Sequence, residues 1–166
     1  LDLFLLSMGI KGEFYESEYN KYYEDALIDE NNLSKFNPEF VYLHTTCRNI
    51  ENLPKPTSTE NEVNNFLNTE LEKFKDIWNQ LEDRFSCTII QNNFDCYPSQ
   101  GLGNYDSTHF TGVTNFINKL NSSFSKSSIE RRSLLINDLN FQSANYGLEK
   151  WHDLSGWYGS KNATCQ

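Results

Sequence analysis

The chain has 166 residues and a formal net charge of -9, and 14% of its residues are aromatic. This length suits one domain with a single core, in which Phe and Tyr carry much of the burial. The acidic excess, with Arg131-Arg132 as the only adjacent basic pair, argues against nucleic acid and anionic membranes as partners. No run approaches the ~20 apolar residues of a membrane span, so we expect a soluble, cytoplasmic protein.

The first third of the chain predicts two helices and a strand. The opening "LDLFLLSMGI" lacks a basic leader and carries Asp2, so a helix with one buried face explains it better than a signal peptide. Helical spacing returns over Glu18–Ile28. The turn at Asn37-Pro38 then leads into Phe40–Leu43, which we expect to be a buried strand.

A proline-marked loop over 53–62 precedes the clearest helix of the chain. Its N-cap is expected at Thr57, Ser58 or Thr59. Apolar residues then recur at three- and four-residue steps over about six turns, which predicts one buried helix face. They are Val63, Phe66, Leu67, Phe74, Ile77, Trp78, Leu81 and Phe85.

The second half continues the alternation of strands and helices. We expect strands over 87–91 and 133–138, with a helical face from Val113 to Phe124 between them. The segment 92–110 is too long for an ordinary connection, which makes it a candidate for function. The tail is rich in aromatic residues and glycine.

Alternating strands and helices predict an α/β fold, a three-layer sandwich around a parallel sheet. The carboxyl ends of parallel strands meet at one edge of the sheet, where such folds bind ligands. The polar segments His44–Asn49, Gln91–Asn93 and Asn137–Asp138 each follow a predicted strand. We therefore expect them to meet at that edge.

The predicted sheet lacks a strand before the first helix, so we expect the protein to extend further in the N-terminal direction. No repeat or linker divides the chain, and residues 1–166 are interpreted as a single domain of a longer protein.

Four cysteines lie at positions 47, 87, 96 and 165, with no CxxC motif and no cysteine tightly paired with a histidine. This spacing gives no support to a zinc site, and no metal or other cofactor is expected. Reduced thiols are the preferred interpretation. Cys47 is read as a buried, inert thiol, although His44 lies three residues before it.

Three segments, 14–52, 89–107 and 146–161, resemble the N-terminal domain of FkbH-like proteins in the same order. The most distinctive parts are Asn-Asn-Phe at 92–94 followed by Pro98 and Gly103-Asn104, and "WHD" with "GWYGSK" in the tail. Proteins of this family join an SGNH-hydrolase-like domain to a HAD-family phosphatase domain (subfamily IIIC). The DxDx[TV] motif of the phosphatase domain does not occur in these 166 residues.

The resemblance implies a flavodoxin-like or SGNH-like sheet. It also implies a role beside a HAD-like phosphatase domain, in making acyl-carrier-bound or glycan and polyketide precursors, with an acyl carrier protein as a further partner. SGNH hydrolases need a nucleophilic serine, a histidine base with a carboxylate, and oxyanion donors. Ser7 lies in a predicted helix and Ser107 follows no strand, so the serine nucleophile is not identified.

His152 is the best candidate for the catalytic base. Glu149 reproduces the carboxylate-x-x-His spacing of SGNH enzymes, and Asp153 offers a second carboxylate next to the histidine. The aromatic neighbours of His152 equally suit a packing role. Whether the chain is an enzyme stays open at this stage.

The polar residues after the strands are candidates for ligand binding, namely Thr45, Thr46, Arg48, Asn49, Asn92 and Asn93. Arg48 could bind a phosphate or carboxylate through two hydrogen bonds. Each of these residues could instead cap a strand end or hold a loop. Two functions therefore compete: an SGNH-like hydrolase or acyltransferase, and a non-catalytic module that binds a carrier protein, a sugar or a phosphate. A nucleotide-binding domain is a weaker option, since Gly101-Leu102-Gly103 lacks a third glycine.

Overall fold

A computed structural model describes residues 2–18, 21–28 and 32–152. Seven α-helices are found in these ranges: α1 (Asp2–Ser7), α2 (Tyr22–Leu27), α3 (Asn32–Phe36), α4 (Glu60–Phe85), α5 (Val113–Glu130), α6 (Leu139–Tyr146) and α7 (Leu148–Trp151). Three strands accompany them: β1 (Phe40–Leu43), β2 (Thr88–Asn92) and β3 (Leu134–Asn137). Two 3-10 turns span Cys47–Asn49 and Gly103–Ser107.

The strands form a parallel sheet in the order β1-β2-β3, which confirms the predicted α/β class. Leu43 pairs with Gln91, and Gln91 pairs with Ile136. Because the strands run in the same direction, their carboxyl ends share one edge of the sheet. Helix α4 contacts β2, and helix α5 contacts β3.

Helix α4 begins at a capping box. The Oγ1 of Thr59 accepts a hydrogen bond from the backbone N–H of Glu62, whose carboxylate accepts one from the N–H of Thr59. These two bonds satisfy amide groups that have no partner within the helix. Thr59 is therefore the N-cap among the three predicted candidates. The helix ends at Phe85, and its C-cap Ser86 adopts a left-handed conformation with φ 49°.

Aromatic rings from two helices and the segment after β2 fill the core. The ring of Phe74 lies 5.0 Å from that of Phe124 and 5.7 Å from that of Phe94, centroid to centroid. Trp78 lies 5.0 Å from Phe124 in an edge-to-face arrangement. All four side chains are completely buried. Rings at these distances and angles contribute beyond the area that they bury.

The prediction that β1 is fully buried is wrong on one face of the sheet. Leu43 is buried against the helices, whereas Phe40 and Tyr42 are 65% and 54% exposed. Leu135 of β3 is exposed on the same side. Among the described elements, α4 and α5 both pack on the opposite face. The prediction of a buried face on α1 is also wrong, because Leu3 and Phe4 are mostly exposed.

The long segment after β2 is held to helix α5 by a pair of hydrogen bonds. The backbone N–H of Phe94 donates to Oδ1 of Asn121, and Nδ2 of Asn121 donates to the carbonyl of Phe94, both at 2.8 Å. Asn121 is 8% exposed. A single buried side chain thus satisfies both backbone groups of Phe94 and fixes the start of this segment beside the sheet.

Candidate functional site

The carboxyl edge of the sheet carries a set of hydrogen-bonded polar side chains that we call the strand-end network. Its members are Tyr42, His44, Asn92, Asn137 and Gln142. Asn92 is the centre, since its Oδ1 accepts from the hydroxyl of Tyr42 at 2.9 Å and from Nδ2 of Asn137 at 2.7 Å. Gln142 extends the network by donating to Asn137 Oδ1 at 3.0 Å.

His44 lies at the exposed margin of the strand-end network. Nδ2 of Asn92 donates to Nδ1 of His44 at 3.0 Å, so Nδ1 is the acceptor in the neutral ring. The remaining ring proton is then on Nε2. Because the His44 side chain is exposed, this N–H can be offered to a ligand.

Thr45 and Asn93, two of the predicted ligand-binding residues, are buried and make hydrogen bonds that connect neighbouring elements. Thr45 is completely buried and accepts from Nε2 of Gln91 at 2.8 Å. Asn93 donates to Asp138 Oδ1 at 2.8 Å and accepts from the backbone N–H of Asn140 at 2.9 Å. These contacts connect β1 to β2, and β2 to the start of α6.

Arg48 and Asn49 belong to the 3-10 turn that follows β1, and Thr46 is the N-cap of that turn. Thr46 caps the turn by accepting from the N–H of Arg48, and its own N–H donates to Oδ1 of Asn49 at 2.9 Å. Arg48 is half-buried. In these contacts Thr46 and Asn49 cap the turn, which is the alternative to ligand binding for residues that follow a strand.

A second group, which we call the Asp95 cluster, is formed by segments that follow β1 and β2 together with helix α7. It consists of Cys47, Asp95, Trp151 and His152. The backbone N–H of Cys47 donates to Oδ1 of Asp95 at 2.6 Å, and the indole Nε1–H of Trp151 donates to Oδ2 at 2.8 Å. Asp95 is completely buried. One carboxylate therefore joins the turn after β1 to helix α7.

His152 is a member of the Asp95 cluster, whereas Glu149, the carboxylate predicted to orient it, is not. Nε2 of His152 lies 2.7 Å from the carbonyl oxygen of Cys96 and 3.8 Å from Oδ2 of Asp95. His152 is 8% exposed, whereas Glu149 is an exposed residue of α7. The nearby carboxylate is thus that of Asp95. Asp153, the other predicted carboxylate, lies outside the described residues.

Cys47 has the features of an unreactive thiol. Its side chain is 1% exposed. Burial and the negative charge of Asp95 raise the pKa of the Cys47 thiol far above its ordinary value. Since the thiolate is the nucleophilic form, this environment suppresses its reactivity. The described cysteines 47, 87 and 96 are all free thiols, in agreement with the predicted reduced state.

Alkylation provides a direct test of this inertness. In the folded chain at about pH 8, close to the usual thiol pKa, iodoacetamide should leave Cys47 unmodified, as mapped by mass spectrometry. After unfolding in urea, Cys47 should react like an ordinary thiol. A Ser122→Cys variant supplies an exposed reference on α5. Native-state alkylation of Cys47 at the rate of that reference would show that the thiol is accessible and activated.

Helices α6 and α7 form a surface groove of about 550 Å³ next to both groups. It is lined by Phe141, Gln142, Asn145, Tyr146, Lys150 and Trp151. Gln142 belongs to the strand-end network, and Trp151 donates to Asp95. A ligand in this groove would contact aromatic rings and side-chain amides at the same time.

Sequence reasoning did not identify Asp95 or Tyr42 as site residues. Asp95 lies three residues beyond β2, and the buried Phe94 beside it gives the segment the pattern of ordinary packing. Tyr42 was assigned to a buried strand. The period of two in a strand places Tyr42 on the face opposite Leu43, but the residues of this strand are all apolar or aromatic, so the sequence does not show which face the helices cover.

Comparison with known proteins places the chain among its relatives. The family model described as FkbH, N-terminal domain, matches residues 6–164. The chain also resembles the crystal structure of the N-terminal part of the protein BF1531 from Bacteroides fragilis, described as containing a phosphatase domain and complexed with Mg. The TM-score is 0.80 at 16% sequence identity, over 96% of this chain and 41% of that chain. At this identity the likeness shows a shared fold.

The chain thus spans less than half of that solved protein. No curated protein matched the sequence. Across the described ranges, none of the helices combines the length and apolar character that crossing a membrane requires.

Proposed function

Because this chain belongs to the FkbH N-terminal domain family, we propose that it is the binding module of an FkbH-like biosynthetic protein. In this proposal it is one domain of a longer protein and holds a carrier-bound acyl unit beside a HAD-type phosphatase domain. The SGNH-like ancestry then survives as a fold that binds its ligand without hydrolysing it. The role is the second of the two functions that the sequence left open.

The strand-end network is the observation that carries this proposal. It presents a phenol, an imidazole and the carboxamides of Asn137 and Gln142 at the edge where α/β proteins bind ligands, and the completely buried Asn92 holds them in place. None of these groups carries a formal charge when the imidazole is neutral. The exposed rings of Tyr42 and Phe141 supply apolar contact beside them. Small-molecule sites typically combine a few polar groups with apolar surfaces.

This chemistry fits an uncharged ligand that carries amides or hydroxyls along an apolar chain. The pantetheine arm of an acyl carrier has this composition, and the groove between α6 and α7 extends the surface along which such an arm could lie. The net charge of -9 makes broad contact with an acidic carrier protein unfavourable. Recognition of the arm itself avoids that repulsion.

Titration of the chain with an acyl-pantetheine thioester tests the proposal. We expect saturable binding followed by NMR, with shifts in the resonances of the strand-end network. His44→Ala should weaken binding about tenfold, because it removes an exposed hydrogen-bond donor. Tyr42→Phe should weaken it less, since the ring remains.

Tyr105→Phe is a matched control, because Tyr105 is an exposed residue of the 3-10 turn Gly103–Ser107 and is not a member of the network. It should bind like the wild type. Absence of binding to the wild type, or equal effects of the two tyrosine variants, would remove the strand-end network as the binding surface. Glycerol and a monosaccharide, titrated in parallel, separate recognition of the amide arm from recognition of hydroxyls alone.

A second candidate, hydrolysis or transfer of an acyl group, is favoured by one arrangement. Cys47, His152 and Asp95 bring a thiol, an imidazole and a carboxylate within 4.8 Å of one another. The raised pKa and burial of the Cys47 thiol oppose this role. The alkylation experiment separates the two candidates, because an acyl-transfer nucleophile has to react in the folded chain.

A further inference from the structure

The Asp95 cluster brings together three donor atoms of different chemistry. The Sγ of Cys47, a carboxylate oxygen of Asp95 and a ring nitrogen of His152 all lie within 4.8 Å of one another. The three residues are 1%, 0% and 8% exposed. They come from the turn after β1, the segment after β2 and the end of α7. Their proximity is therefore entirely a product of the tertiary fold.

Within the described part of the chain, the hydrogen bonding of His152 leaves one of its two ring nitrogens without a partner. The carbonyl oxygen of Cys96 can only accept, so the Nε2 that lies 2.7 Å from it carries the proton. In the neutral ring the lone pair is then on Nδ1. This Nδ1 is buried and has no hydrogen-bond partner among the residues that the structure describes. Buried polar atoms are nearly always satisfied, which makes this exception informative.

We propose that the Asp95 cluster binds a divalent transition-metal ion through Cys47, Asp95 and His152, with Zn²⁺ as the best match. Thiolate, imidazole and carboxylate are the side chains that bind Zn²⁺ in proteins. With Nδ1 as the ligating atom, the bond from Nε2 to the Cys96 carbonyl would be the outer contact that orients the ligating ring. Mixed sulfur, nitrogen and oxygen donors do not suit Mg²⁺ or Ca²⁺, which prefer oxygen alone.

The charges of the cluster favour a cation. A buried carboxylate lies beside a thiol that must lose its proton to ligate a metal. A divalent cation bound between them would compensate both negative charges, with release of the thiol proton to solvent. The backbone N–H of Cys47 and the indole N–H of Trp151 hold the Asp95 carboxylate in place.

The position of the site indicates a structural role. Bound metal would connect residues 47, 95 and 152, so it would hold α7 and the groove beside it against the edge of the sheet. Metal that binds the folded chain better than the unfolded chain raises the stability of the fold. The proposal is separate from acyl-arm binding, which involves the exposed strand-end network.

Cobalt titration of the untagged, chelator-treated chain tests the proposal. We expect one Co²⁺ to bind per chain, with a thiolate-to-cobalt charge-transfer absorption that Zn²⁺ displaces. The thermal midpoint of unfolding should rise with added Zn²⁺. Cys47→Ser should abolish the charge-transfer absorption, and His152→Gln should weaken Co²⁺ binding at least tenfold. Cys87→Ser and Cys96→Ser are matched controls that should keep the absorption.

Several results would overturn the proposal. The first is a wild-type chain that shows neither the absorption nor a shift in thermal midpoint, and this outcome does not depend on whether any variant folds. The second is an absorption that persists in Cys47→Ser, or that disappears in Cys96→Ser, because another thiol would then be the ligand. X-ray absorption at the zinc edge of the Zn²⁺-bound wild type should show sulfur together with nitrogen or oxygen ligands. A zinc coordination shell without sulfur would also contradict the proposed site.

Discussion

The Asp95→Ala substitution is expected to lower the free energy of unfolding by about 3–5 kcal/mol, as measured by urea denaturation with chelator present. Asp95 is completely buried and accepts hydrogen bonds from the N–H of Cys47 and the indole N–H of Trp151. Alanine would leave the buried N–H of Cys47 and the indole N–H of the half-buried Trp151 without this acceptor. Each such loss costs about 1–3 kcal/mol, and the cavity adds to it.

Two further variants make this prediction specific. Asp95→Asn keeps one acceptor oxygen at nearly the same volume, so its loss should be smaller than that of Asp95→Ala. Asp83→Ala removes an exposed carboxylate from α4 and should stay within about 0.5 kcal/mol of the wild type. If Asp95→Ala were as stable as Asp83→Ala, the cluster would contribute nothing to the connection between the turn after β1 and α7.

The Phe74→Ala substitution is expected to cost about 3–5 kcal/mol, because it removes the ring at the centre of the aromatic core. Phe74 is completely buried, and its ring contacts those of Trp78, Phe94 and Phe124. Urea denaturation should show a lower midpoint with little change in slope. Tryptophan emission, to which the buried Trp78 contributes, gives a second probe of the same transition.

Phe66→Ala on the same helix provides the comparison. Phe66 is only half-buried at the margin of the core, so the same substitution should cost clearly less. Both changes replace phenylalanine with alanine within α4, which cancels the effect of helix propensity. Equal losses for the two variants would mean that the stability of α4 does not depend on the ring cluster.

Local patterns predicted the elements that position the site. The recurrence of apolar residues from Val63 to Phe85 identified α4, because a helix repeats every 3.6 residues whatever surrounds it. The strand at Phe40–Leu43 has the predicted bounds. Parallel pairing follows from the alternation of helices and strands, and it brings Asn92 and Asn137 into register at one edge.

The side-chain contacts of the candidate site join segments that are distant in the sequence, and no local pattern encodes such contacts. Cys47 and Asp95 are 48 residues apart in the sequence, yet they share a 2.6 Å hydrogen bond. The expectation of no metal site rested on short spacing between cysteine and histidine, a criterion that cannot detect side chains brought together from three segments. The exposure of Phe40 and Tyr42 was equally hidden, since it depends on which face of the sheet the helices cover.

The bonds between Asn121 and Phe94 also bear on how the chain should be produced. Asn121-Ser122-Ser123 is a sequon for N-linked glycosylation, and the atom that would carry the sugar is the Nδ2 that donates to Phe94. A glycan added before folding would occupy a position that is 8% exposed in the native chain. We therefore expect secretion through a eukaryotic host to hinder folding, because the glycan would prevent Asn121 from bonding to the backbone of Phe94. A bacterial host that does not glycosylate this sequon should allow the bond to form.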